Sequence, residues 1–312
     1  MANKRIDAPT GTEFVGHEWD GIEELNTPLP RWWLWTFYAT IIFSLIYVVL
    51  YPAWPLIDRA TAGTLGWSSR GALAKELSAA EAARQGTFQQ IAATPIEALP
   101  ARPELMQAAI AGGAAAFKVN CVQCHGAGAA GYQEHGYPNL NDDDWIWGGT
   151  LPEIEYTITH GIRWEADEAT RVNFMPAFAG VLDAGQVGAV ARHVLSLSGK
   201  ARPSPAGAQV FADNCAACHG AGGEGNPAMG APALNDAIWL YGSSEAAVRQ
   251  QILGPRHGVM PAWQGRLDPV TIKMLAAYVF SRGGGQQAPA ASPATATSAA
   301  ADTPARKANP DG

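Results

Sequence analysis

Charged side chains and cysteines are what this 312-residue chain has least of: Asp, Glu, Lys and Arg make up 16 %, and there are four cysteines. Basic residues are outnumbered, 21 against 28 acidic ones, for a formal charge of −7. That balance removes the positive footprint nucleic-acid binding needs. Long apolar runs are also missing, with one exception at Trp32 to Tyr51. After Arg282 the composition falls to Gly, Ala, Pro, Ser and Thr, which cannot bury a core, so 286–312 reads as a disordered tail.

The four cysteines stand in one pattern used twice. Cys121-Val122-Gln123-Cys124-His125 recurs 94 residues later as Cys215-Ala216-Ala217-Cys218-His219. In C-x-x-C-H the thiols add to the haem vinyl groups, and the adjacent imidazole faces the iron. Two haems c therefore take all four thiols and leave none for a disulfide. A zinc site does not need a histidine directly after each second cysteine, and a thioredoxin-like redox pair would not occur twice.

The surroundings repeat as well. At the same offset Gly113, Phe117, Asn120, Pro138, Leu140, Trp145 and Gly148 match Gly207, Phe211, Asn214, Pro232, Leu234, Trp239 and Gly242. Met175-Pro176-Ala177-Phe178 then matches Met260-Pro261-Ala262-Trp263 at an offset of 85, so the first copy holds nine extra residues between about Ile162 and Phe174. A histidine-held iron that shuttles electrons needs a sixth ligand, and a thioether there raises its potential. Met175 and Met260, both before proline and both followed by an amphipathic helix, are the candidates. Met229 has no counterpart, since His135 takes its place, and Met106 and Met274 read as packing.

Each copy, in the order helix, C-x-x-C-H, Gly-x-Pro-x-Leu loop, short helix, Met-Pro and final helix, resembles a class I cytochrome c domain. The fold class is all-α, an N-terminal transmembrane helix followed by two tandem domains of that class. The resemblance implies that Pro138 and Pro232 carbonyls orient the two imidazoles. Trp145 and Trp239 are candidates for the haem crevice, with plain packing equally open, and Arg163 and Arg256 for haem propionates. His17, His160, His193 and His257 lack ligand spacing; His160 and His257 lie upstream of the methionines, where a bis-histidine alternative is open. Asp142, Asp143, Asp144, Glu165, Asp167 and Glu168 read as a solvated acidic surface, with steering of a basic donor cytochrome as the alternative.

Trp32 to Tyr51 would span about 30 Å as a helix, which matches a bilayer core. Tryptophans crowd one end, and Tyr51, Trp54 and two prolines mark the other. The long acid-rich segment before it does not suit a cleaved signal peptide. Haem attachment of this kind occurs outside the cytoplasmic membrane, which puts the C-terminal part in the periplasm. The expected layout is 1–30 cytoplasmic, 31–52 anchor, 53–110 periplasmic helical linker, 111–200 and 205–285 cytochrome c domains, and 286–312 tail.

His17-Glu18-Trp19-Asp20-Gly21-Ile22-Glu23-Glu24-Leu25-Asn26, then Pro28-Leu29-Pro30-Arg31-Trp32-Trp33 and Tyr51-Pro52, resemble the dihaem anchored subunit of cbb3-type cytochrome c oxidases. Thr27 is a one-residue departure from that pattern. The resemblance implies a non-catalytic inner-membrane subunit. It takes electrons from a donor cytochrome c and passes them through the monohaem subunit to the catalytic haem–copper subunit, which reduces oxygen and pumps protons. The chain itself has no copper ligands and no polytopic core. A free-standing anchored carrier and a dihaem peroxidase are the rival readings. Local reasoning pairs His125 with Met175 and His219 with Met260; the resemblance implies the crossed assignment. Sequence leaves both open.

Overall fold

In a computed structural model, residues 5–283 and 285–286 are described. Apart from Gln286, the expected 286–312 tail lies outside them. The chain divides into two compact units, 1–84 and 85–312.

In the first unit, β1 (Phe14–Trp19) and β2 (Ile22–Leu25) form an antiparallel hairpin. The sequence reading assigns no strand here. The turn is Asp20-Gly21, with φ of 49° and 81°, the pair of left-handed residues a two-residue hairpin loop requires. The ion pair of Arg5 with Glu23 and the stacking of Arg5 over Phe14 brace it. Helix α1 (Arg31–Leu50) has no buried residue and is long and apolar enough to cross a membrane. The chain then doubles back. Thr64 and Leu65 donate their N–H groups to the Val49 and Leu50 carbonyls at 2.9 and 3.1 Å, partners the helix end otherwise lacks. Gly63, at φ 70°, allows this, because a Cβ would run into the Leu50 carbonyl.

Helix α2 (Ser69–Ala93) is a single helix whose last turns belong to the second unit. The segment expected as a linker contributes side chains to the core from Ile91 on: Ile91, Ile96 and Leu99 are at most 5 % exposed. Then come α3 (Pro103–Asn120), α4 (Val122–His125), α5 (Leu151–His160), α6 (Ala184–Leu197), α7 (Pro205–Asn214), α8 (Ala216–His219), α9 (Glu245–Leu253) and α10 (Pro269–Phe280). Residue 111, the expected start of the first cytochrome domain, lies inside α3, which begins on the helix-favouring Pro103.

Two hydrophobic cores form, and they do not follow the sequence repeats. The first joins Phe117 of α3 and Ile154 and Ile158 of α5 to Ile272, Leu275 and Val279 of α10, from the far end of the chain. The second joins Val190 and Val194 of α6 to Phe211 of α7 and Val248 and Ile252 of α9. The final helix of each repeat thus packs on the opening helix of the other.

Candidate haem-binding sites

Each C-x-x-C-H is a single helical turn built on the end of a longer helix. The Cys121 and Cys215 N–H groups continue α3 and α7 by donating to Phe117 and Phe211 carbonyls at 2.9 and 2.8 Å, and His125 and His219 N–H groups close the next turn on Cys121 and Cys215. Gly126 and Gly220, at φ 76° and 79°, end it. That turn sets residues three and four apart side by side, so both thiols and the imidazole share one face. The imidazoles are fixed from behind. A carbonyl can only accept, so His125 Nδ1–H donates to Pro138 O at 3.3 Å, and His219 Nδ1–H to Pro232 O at 3.0 Å. Nε2 is left with a free lone pair. Burial pushes both imidazoles below the usual histidine range, and the proline hydrogen bonds oppose it without cancelling it. Both rings are accordingly neutral, with a nitrogen lone pair able to bind a metal. Burial, followed by the neighbouring thiol, pushes Cys121 and Cys215 up to about 11.

The Met-Pro loops reach across the repeats. Met260 packs on the first core, which holds Phe117 and is also lined by Cys121, and Met175 on the second, which holds Phe211 and is also lined by Cys215. Trp263 N–H donates to Ile158 O at the end of α5 (3.1 Å), and Phe178 N–H to Ile252 O near the end of α9 (3.0 Å). Met274 is core filler at 3 % exposure, Met106 packs on the first core, and Met229 is half-exposed with its carbonyl accepting from Asn173 Nδ2.

Other candidates separate clearly. Trp145 packs on the first core and Trp239 on the second. Arg163 donates to the Asn173 and Gly258 carbonyls, both at 3.0 Å, and Arg256 donates to Glu134 O and lies over the Tyr241 ring at 4.3 Å. His257 contacts Phe174 edge-on. His193 lies against Phe211, and His17 is exposed on β1. His160 faces Asp167, which is buried rather than part of a solvated acidic surface.

Sequence reasoning missed a pair that joins the two sites. Trp147 and Tyr241 occupy the same repeat position, two residues after Trp145 and Trp239. A Cβ on Gly230 would enter the Trp147 ring, and one on Gly136 the Tyr241 ring. Both glycines are left-handed, at φ 63° and 71°. Each half thereby seats an aromatic ring on the other's loop, and a single cavity of about 420 Å³ reaches Cys121, His125, Met260, Cys215, His219 and Met175.

These residues fit haem c. The cavity is chiefly apolar in its lining, both imidazoles line it, and Trp239 Nε1 is buried with no hydrogen-bond partner among the described residues, a donor for an acceptor the group would supply. Among the described residues no cluster of three or more His, Cys, Asp or Glu converges as a bare metal site would.

Tandem modules of this geometry behind an apolar N-terminal helix define a membrane-anchored c-type cytochrome. The model for cytochrome c oxidase, cbb3-type, subunit III, matches residues 108–194 and again 203–279. The model for the N-terminal domain of cytochrome oxidase-cbb3, FixP, matches residues 11–58. The chain is 54 % identical over 288 residues to the cbb3-type cytochrome c oxidase subunit FixP of Sinorhizobium medicae (strain WSM419), covering 91 % of this chain and 99 % of that one. It is 50 % identical over 277 residues to subunit CcoP of Cereibacter sphaeroides, covering 87 % and 95 %. The chain belongs to the subunit III family of cbb3-type cytochrome c oxidases.

Proposed function

We propose that the chain carries two haems c, attached at Cys121 and Cys124 and at Cys215 and Cys218, with crossed axial ligands: His125 with Met260 and His219 with Met175. The observation that carries this is the exchange of final helices, which seats the Met260 loop on the core of Cys121 and the Met175 loop on that of Cys215. Bound haem c supplies a one-electron iron couple. The protein's residues do the rest. Pro138 and Pro232 hold the imidazoles in the tautomer that leaves Nε2 free for iron, the apolar lining would keep water from a bound haem, and Trp239 Nε1 would be a donor for one of its carboxylates.

The chain serves as a non-catalytic electron-transfer subunit. It accepts electrons from a donor cytochrome c and delivers them through the monohaem subunit to the haem–copper subunit, where oxygen is reduced and protons are pumped. Helix α1 anchors it in the bacterial inner membrane with 1–30 on the cytoplasmic side and the haem-bearing unit in the periplasm. The naming of relatives as oxidase subunits supports the partnership, and co-elution with a haem b and copper subunit from mild detergent tests it.

The ligand assignment has its own test. In a chain limited to the first haem by Cys215→Ala and Cys218→Ala, Met260→Ala abolishes the methionine-ligand absorbance and Met175→Ala leaves it. The reverse result means local pairing. Survival in both variants removes both methionines from the ligand set.

A further inference from the structure

The nine extra residues of the first copy lie against the Met260 loop. Ile162 and Met260 exchange backbone hydrogen bonds, Ile162 N–H to Met260 O at 2.9 Å and Met260 N–H to Ile162 O at 3.0 Å. Gly161, at φ 69°, makes the approach possible, since a Cβ there would strike the Met260 carbonyl. The insertion returns to this point: Arg171 N–H donates to Gly161 O at 3.2 Å, and Arg163 N–H to Arg171 O at 2.9 Å.

At its centre is Asp167, 7 % exposed. Its carboxylate accepts from Ala169 N–H at 2.9 Å and from His160 Nδ1 at 3.2 Å. It also accepts from Gln264 Nε2, four residues past Met260 on the same loop. Gln264 N–H donates to Thr159 O at 3.1 Å. Burial raises the Asp167 carboxyl, but these donors outweigh it and hold it below the usual carboxylate range, so it is a charged acceptor at neutral pH.

The second copy has no equivalent. The stretch between Ile252 and Met260, the shorter counterpart of Ile158 to Met175, contains no acidic residue. There the Met175 loop is held by Phe178 and Ala179 N–H groups on Ile252 and Leu253 carbonyls, at 3.0 and 3.3 Å, and by Arg163 Nε on the Asn173 carbonyl at 3.0 Å.

We infer that the insertion is a lock on one axial ligand: Asp167, acting through Gln264 and the Ile162–Met260 pair, positions the Met260 thioether, while the Met175 loop has no buried carboxylate on it among the described residues. This rests on the reading of Met260 and Met175 as haem ligands. Asp167 and Gln264 are positioning residues, since neither reaches the haem cavity. The consequence is an asymmetric pair, with one sixth ligand resistant to displacement and one labile.

Imidazole titration of the oxidised full-length chain, followed by the loss of methionine-ligand absorbance, tests this. The unaltered chain shows two steps, and Met260→Ala removes the resistant one. Asp167→Ala and Gln264→Ala each move the resistant step to about tenfold lower imidazole or more, as loss of a charge-assisted hydrogen bond allows, and leave the labile step in place. Gln264 is exposed, so its variant decides the matter if Asp167→Ala loads haem poorly. Overturning results are a resistant step that stays within about twofold in Gln264→Ala, or both steps moving together, which is general loosening. If the resistant step survives Met260→Ala, the ligand reading fails instead of the lock.

Discussion

Asp144 is half-buried and faces Asp236, with Asp142 and Asp143 beside it. Burial first, and then those three carboxylates, push it up to about 6 from 3.8. The sign follows from linkage. Between pH 4 and 6 the folded chain binds more protons at this site than the unfolded one, so stability falls as pH rises through that window and the penalty is complete above it. Asp144→Asn should therefore raise stability at pH 7, by on the order of 1 kcal/mol once solvent screening is allowed for, with the gain vanishing below about pH 4. Denaturant unfolding at pH 4 and 7 checks both sign and window; an equal gain at both would mean that packing, not charge, is responsible. The same residue-level logic accounts for the histidines, whose neutral state is set by burial and whose direction is set by one proline carbonyl each.

At the scale of elements, two glycines let helices touch. A Cβ on Gly113 of α3 would enter the Met274 carbonyl of α10, and one on Gly207 of α7 the Ala189 carbonyl of α6. Backbone cannot step aside as a side-chain tip can, so Gly113→Ala or Gly207→Ala should cost about 1–3 kcal/mol through forced separation of the pair. Gly86, in exposed helix with nothing within 4 Å of its added Cβ, supplies the opposite sign: Gly86→Ala should stabilise by about 0.5–1 kcal/mol. Thermal unfolding of the three variants checks the contrast. Helix ends are tied by the same economy. Lys273 Nζ on α10 reaches the Ile91, Ala92 and Thr94 carbonyls at 3.3, 3.2 and 2.8 Å, which caps α2 on the first core.

For the whole molecule, the exchange of α6 and α10 makes the two haem modules one folding unit. Ile272, Met274, Leu275 and Val279 of α10 are each at most 6 % exposed. At ~2 kcal/mol per large apolar side chain they contribute about 8 kcal/mol, comparable with the entire stability of a domain at about 5–15 kcal/mol. A chain ending at Ser204 should therefore fail to form a stable first module, although it contains the whole first repeat. Helical content and covalent haem at Cys121 and Cys124 measure this, and a cooperatively folding, fully loaded product would contradict the exchange. Removal of residues 1–59 with export by a separate signal should, by contrast, leave both modules redox-active while preventing assembly into the oxidase.

Local chemistry was legible in the sequence because it is carried by neighbours in the chain. C-x-x-C-H closes on itself within one helical turn, Trp32 to Tyr51 is uncharged whatever surrounds it, and Met-Pro marks a loop on its own. Asp20-Gly21 is just as local a signal for its hairpin. The repeat also exposed the insertion, since a change of offset from 94 to 85 needs no coordinates. Which methionine joins which core was decided only in three dimensions. Helices α6 and α10 descend from the same repeat position and present the same kind of apolar stripe, so periodicity shows that each must be buried and not against what. Likewise Asp167 is an ordinary acid in an acidic stretch until the fold buries it against Gln264. The close approaches at Gly113 and Gly207, where backbone meets backbone, accept either final helix, so the exchanged pairing was settled by surface fit between segments far apart in the chain.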